Sequence, residues 1–178
     1  MRVVVRMLSA FALATLPRAA AAGAWTWPPG EVFLSLSSSY YESGGAFPYE
    51  ETTANLFAEV GAAEGLTIGA ALEYKEPLYE NAPLGEELSA SAHARARVWT
   101  GPAGDPLSVQ LAVSRPVNDV AEIAPPQQSE GRSAEGRLLY GRGFETAAGE
   151  AWIDLQGAVR LRFEEASDEA RIDVTAGV

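Results

Sequence analysis

Leu88-Ser89-Ala90-Ser91-Ala92-His93-Ala94-Arg95-Ala96-Arg97-Val98-Trp99 lies in the middle of a chain of 178 residues, and its reading decides the fold. Every even position in it is apolar, and every odd position through Arg97 is polar. Successive side chains of a β-strand point to opposite faces, so this period of two gives one strand an apolar and a polar surface. A surface helix would need its apolar residues three and four apart, and no part of the chain sustains that spacing.

The same alternation spreads outward in both directions. Thr53 to Ala62 sets Ala54, Leu56, Ala58, Val60 and Ala62 against Thr53, Asn55, Phe57, Glu59 and Gly61. Leu66 to Lys75 sets Leu66, Ile68, Ala70, Leu72 and Tyr74 against Thr67, Gly69, Ala71, Glu73 and Lys75. Ala151 to Phe163 and Ala170 to Val178 alternate in the same way, and Val32–Tyr41, Leu107–Arg115 and Ala134–Phe144 bring the expected strands to eight. At 9–13 residues these runs are longer than soluble strands, which average about 5–6. They match the roughly 9–11 residues of a strand that crosses a bilayer.

Connections alternate as well. Ala63-Glu64-Gly65, Gly101 to Pro106 and Thr146 to Glu150 are short, whereas Glu42 to Thr52, Glu76 to Glu87 and Pro116 to Ser133 are long. In an antiparallel sheet this gathers the long loops at one end, as in outer-membrane barrels with short periplasmic turns and long external loops. Glu164 to Glu169 is short for an external loop and fits less well.

The first 22 residues stand apart from this pattern. Arg2 and Arg6 precede an apolar core, Met7 to Leu16, then Pro17 and the small residues Ala20-Ala21-Ala22. That is the layout of a secretory signal peptide cleaved after Ala22, which leaves 23–178 as the barrel domain. Losing Arg2, Arg6 and Arg18 leaves 10 basic residues against 24 acidic ones, a mature charge of −14. Such a surface repels phosphate and argues against nucleic acid as a partner. With no Cys, a disulfide scaffold, a cysteine nucleophile and a thiolate metal site are all excluded.

Period two alone also suits a soluble barrel or a two-sheet sandwich. Lipid outside and charge inside is the better reading. The polar face carries Glu59, Glu73, Lys75, His93, Arg95, Arg97, Glu135, Arg137, Asp154, Arg160, Arg162, Arg171 and Asp173. Apart from the histidine these are seven basic and five acidic residues, a near balance suited to a lumen of opposed charges. The apolar face mixes Ala with Leu, Val and Ile, and Tyr40, Tyr74, Phe144 and Phe163 fall near strand ends, where interfacial aromatic girdles sit. The expected fold is therefore an all-β, antiparallel up-and-down transmembrane barrel in the outer membrane, with the lipid bilayer as its partner. Its last residues, Asp173-Val174-Thr175-Ala176-Gly177-Val178, lack the terminal aromatic common in such barrels. Either the barrel closes at eight strands with an atypical end, or further strands belong to a larger barrel.

Two segments add a family likeness. Gly23-Ala24-Trp25-Thr26-Trp27-Pro28-Pro29-Gly30 before a Ser/Tyr-rich strand resembles the mature start of proteobacterial outer-membrane transporters similar to the phenol-degradation MetA-pathway barrels. Phe57-Ala58-Glu59-Val60-Gly61 through Gly65-Leu66-Thr67-Ile68-Gly69 resembles their second hairpin, with Ala62-Ala63-Glu64 as a departure. The resemblance implies an outer-membrane location and passage of small hydrophobic or aromatic solutes, and it carries no catalytic residue.

No catalytic, cofactor or metal site is expected. His93 is the only histidine, and the nearby Ser89 and Ser91 lie on its own strand with no acid in the sequence placed to orient its ring. Glu50-Glu51 and Glu86-Glu87 have no recognisable Ca²⁺ ligand spacing and read as a solvated rim. Trp25 and Trp27 are expected to anchor at the periplasmic interface rather than plug the barrel. Three function classes follow: a passive channel for small solutes, a structural barrel with a charge-filled lumen, and, least favoured, an outer-membrane acyl-transfer enzyme.

Overall fold

A computed structural model of the chain describes residues 23–43, 48–79, 82–83, 85–118, 131–147, 149–163 and 167–178. The signal peptide expected over 1–22 and the Pro125-Pro126 part of the longest loop lie outside the described residues. The strands are β1 (Val32–Ser43), β2 (Tyr49–Ala63), β3 (Leu66–Tyr79), β4 (Ala82–Pro83), β5 (Glu87–Thr100), β6 (Pro106–Pro116), β7 (Ser133–Thr146), β8 (Gly149–Arg162) and β9 (Glu169–Gly177).

Apart from the two-residue β4, which pairs with β3, each strand is antiparallel to its sequence neighbour in the order β1-β2-β3-β5-β6-β7-β8-β9. The eight long strands form one curled up-and-down sheet, a half-barrel. Among the described residues no pairing joins β1 to β9, so both outer strands are edges. The alternation seen in the sequence sets the register. Glu59 stands opposite Gly69, Gly69 opposite His93, and the same row continues through Ala112, Glu135 and Arg160. A shift of one residue would turn a whole strand over, so this register keeps Glu59, His93, Glu135 and Arg160 together on one face.

Several strands run past their expected ends. β2 begins at Tyr49 and β3 continues to Tyr79, so much of the two long loops expected there is extended hairpin. β-bulges at Gly61/Ala63 and at Arg97/Trp99 bend the sheet beside two of the short turns. The Ala62-Ala63-Glu64 departure from the family likeness coincides with the first of these bulges. No helix among the described residues is long and apolar enough to cross a membrane.

The two faces differ sharply. Outward-pointing Leu34, Leu36, Leu111, Val113, Ile172 and Val174 are exposed, while Glu59, Arg95, Gln110, Glu135 and Asp154 are buried on the concave side. The distribution is the inverse of that in most soluble domains, which bury their aliphatic side chains and leave charges in water.

Candidate functional site

The concave face is organised by the segment that precedes β1. Gly30 N–H donates to Gly61 O at 2.8 Å and Gly61 N–H to Glu31 O at 2.9 Å, so the chain leaves the β2 edge at this point. It then turns inward and crosses over the sheet. Trp27 N–H donates to Thr67 Oγ1 of β3 at 2.8 Å, and its indole Nε1–H donates to Glu59 of β2 at 2.6 Å. Farther along, Ser108 Oγ of β6 donates to Ala24 O at 2.5 Å, and Ala24 N–H donates to Asp154 of β8 at 2.7 Å. Gly61 has no side chain because there is no room for one: a Cβ there would strike the backbone of Pro28. Such a strap needs a curled sheet. From β3 to β8 the arc is about 19 Å at ~4.8 Å per strand, whereas the three residue steps from Ala24 to Trp27 span at most about 11 Å.

The tryptophans therefore do not match the expectation of interfacial anchors. The Trp27 ring stacks on Phe33 of β1 at 5.4 Å, and the Trp25 ring lies over Gly141 of β7. The physical reason is the hydrogen bond that Glu59 offers the indole N–H. Inside a charged face that acceptor satisfies the polar tip while the ring covers apolar Phe33.

Beyond the strap the inward residues enclose a half-open cavity of about 280 Å³. Six of the thirteen charged or titratable positions singled out in the sequence line it: Glu59, His93, Arg95, Glu135, Arg137 and Arg160. Two carboxylates organise them. Glu59 is held by His93 Nε2 at 2.8 Å and by Arg95 Nη2 at 3.0 Å, in addition to Trp27. Glu135 accepts from Arg137 Nε, from Arg160 Nε at 2.9 Å and from Arg171 Nη2 at 3.5 Å. Desolvated ion pairs of this kind are stable only while every partner is present.

His93 reaches Glu59 across an intervening strand, since β3 lies between β2 and β5. Gly69 is what permits it, because a Cβ at that position would collide with the imidazole. The acid that sequence spacing did not reveal is therefore present, and the ring also lies flat on Phe57 at 5.7 Å. Ser91 lines the same cavity, and among the described residues no hydrogen bond joins it to His93.

The other seven positions are dispersed. Asp154 is sealed beneath the strap, and Gln156 donates to it at 2.7 Å. Glu73 pairs with Lys75 at 2.9 Å toward the long-loop end, and Arg97 pairs with exposed Glu64 at 2.5 Å at the turn end. Arg162 meets Glu169 at 3.1 Å and Arg171 meets Asp173 at 3.0 Å, toward the open β9 edge. Sequence reading of charge alone missed Thr67, Ser108 and Gln110. All three sit on inward positions, and the alternation within β3 and β6 is the signal that finds them.

At the long-loop end Tyr49 donates to Glu51 at 2.6 Å and lies against Tyr41. Burial, followed by that hydrogen bond, pushes its phenol above the ordinary tyrosine range. Among the described residues no group of three or more His, Asp or Glu side chains could hold a metal ion. Comparison with family models, with curated proteins and with solved structures gives no match to the chain.

Proposed function

We propose that this sheet is the wall of an outer-membrane β-barrel and that its concave face lines a passage for small solutes. The observation that carries the reading is the inversion of the two faces. Leu111, Ile172 and Val174 are 72%, 78% and 69% exposed on the convex side, while Glu59 and Asp154 are 6% and 1% exposed on the other. Water penalises such a surface and hydrocarbon does not. Hydrocarbon also provides no partners for the free N–H and C=O groups of β1 and β9, so within a bilayer both edges must be paired, with each other or with further strands. Closure of these eight strands on themselves would leave an interior only just wide enough for side chains. The strap already occupies that space, which favours a larger barrel. The likeness to proteobacterial transporters, the signal-peptide layout and the mature charge of −14 agree with export to the outer membrane.

The strap and the paired charges also support a second reading, a structural barrel with a filled lumen. Reconstitution separates the alternatives. The purified chain is expected to insert into liposomes and migrate in detergent gels in a heat-modifiable form, and a barrel completed by further strands to give stepwise currents in planar bilayers. Insertion with no current would favour the structural reading. Recovery as a soluble periplasmic monomer would remove both.

A further inference from the structure

Charges around the cavity are unevenly matched. Arg95, Arg137 and Arg160 face it, and the carboxylates among its lining residues are Glu59 and Glu135. That leaves one positive charge in a chain whose overall charge is −11. Glu135 is divided among three guanidinium groups; Arg160 also reaches Glu169 at 4.0 Å and Arg171 reaches Asp173 at 3.0 Å, whereas Arg137 has the shared Glu135 alone, and its other contact is Gln156 Oε1 at 3.5 Å. On the same cross-strand row, with Gln110 of β6 between it and Arg137, Arg95 is 5% exposed, and its Nε has no acceptor among the described residues. A buried donor without an acceptor carries its full desolvation cost, and an excess cation in a recess draws in an anion.

We propose that the cavity binds a small organic monoanion through its carboxylate, with Arg137 as the principal contact and Arg95, two strands away on the same row, as a second cation. The proposal rests on the barrel-wall reading, because a wall that surrounds the recess limits screening by bulk water. A carboxylate matches the planar fork of a guanidinium, whereas an uncharged solute would leave the excess charge unmet. Among the lining side chains the imbalance is one charge, which matches a monoanion. Phe57, Ala112 and Leu139 supply an apolar lining for the hydrocarbon part. At about 280 Å³ the half-open space equals that of about nine waters at ~30 Å³ each, enough for an acid of a few carbons.

The test is calorimetric titration of butyrate, and of its neutral isostere butyramide, into the full chain folded in detergent micelles. Butyrate is expected to bind saturably and butyramide roughly tenfold or more weaker, in line with loss of a charge-assisted contact. Arg137→Gln should weaken butyrate by a similar factor. Its sheet should persist, because Glu135 keeps Arg160 and Arg171. Arg142→Gln makes the same charge change on the outward face of β7 and should leave the affinity unaltered. Equal affinity for acid and amide would overturn the inference, as would equal losses in the two arginine variants. Absence of any butyrate binding, in protein that still inserts into liposomes, would overturn it and leave the barrel-wall reading in place. Protein that does not insert would overturn both.

Discussion

Glu59 gathers donors from the strap and from β5, and its side chain is 5% exposed. Glu59→Gln leaves Arg95 and His93 without their counter-charge, and a loss of about 3–5 kcal/mol is expected from breaking a buried pair on one side. Glu64→Gln, which breaks the exposed pair with Arg97, should cost nothing measurable in the same urea titration in lipid. Tyr49 gives a pH-dependent counterpart. Its phenol is raised in the folded chain, so the fold favours the neutral form. That contribution is complete below the unfolded pKa of about 10 and is lost as pH climbs from there through the higher folded value. Unfolding midpoints should therefore fall more steeply above about pH 10 in the native chain than in Tyr49→Phe. Parallel curves would remove the effect. At this scale the sequence is legible where charge and alternation coincide, as at Arg95, Arg137 and Glu135. It is silent at Gly69, whose role lies in atoms it lacks, and at Trp27, whose segment has no period.

Each strand presents one face to the convex side of the sheet and one to the concave side, and substitution should separate them. Arg at Ala94 or Leu155, both exposed on the convex side, is expected to destabilise by roughly 2–4 kcal/mol in a bilayer if the position lies near its midplane. Arg at Ser91, on the cavity side of the same strand as Ala94, should be milder. Equal tolerance at both positions in a denaturant titration in lipid would reverse the assignment of faces. The strap makes a separate element. Gly61→Ala places a Cβ against Pro28 and should lift the strap from β2 while the sheet stays intact. Circular dichroism should then be unchanged and Trp emission shifted to the red. Strand positions were readable because eight alternating runs reinforce one another. The extension of β2 back to Tyr49 was not readable, because Glu50-Glu51-Thr52 is polar at every position.

For the whole molecule, the unresolved choice in the sequence was between closure at eight strands and a larger barrel. Alternation could not decide it, since the direction of β9 relative to β1 suits either outcome. The strap bears on it through volume. Spin labels at Ser37→Cys in β1 and Thr175→Cys in β9 attach specifically because the chain has no cysteine of its own. Their measured separation is expected to span several strand spacings rather than the single ~4.8 Å of a closed seam.

The strap also has a bearing on fidelity. Ala24 sits 130 residues from Asp154 and 84 from Ser108, yet both must face inward for its N–H and C=O to be met. A slip by one residue at a strand that carries either partner would send that partner to the outer surface. Each local pairing in the slipped sheet would remain hydrogen-bonded and undetected by its neighbours. At the strap the error would surface as an unmet backbone group, so these few residues act as a parity check on the whole arrangement, sensitive to errors that no adjacent pair of strands can sense.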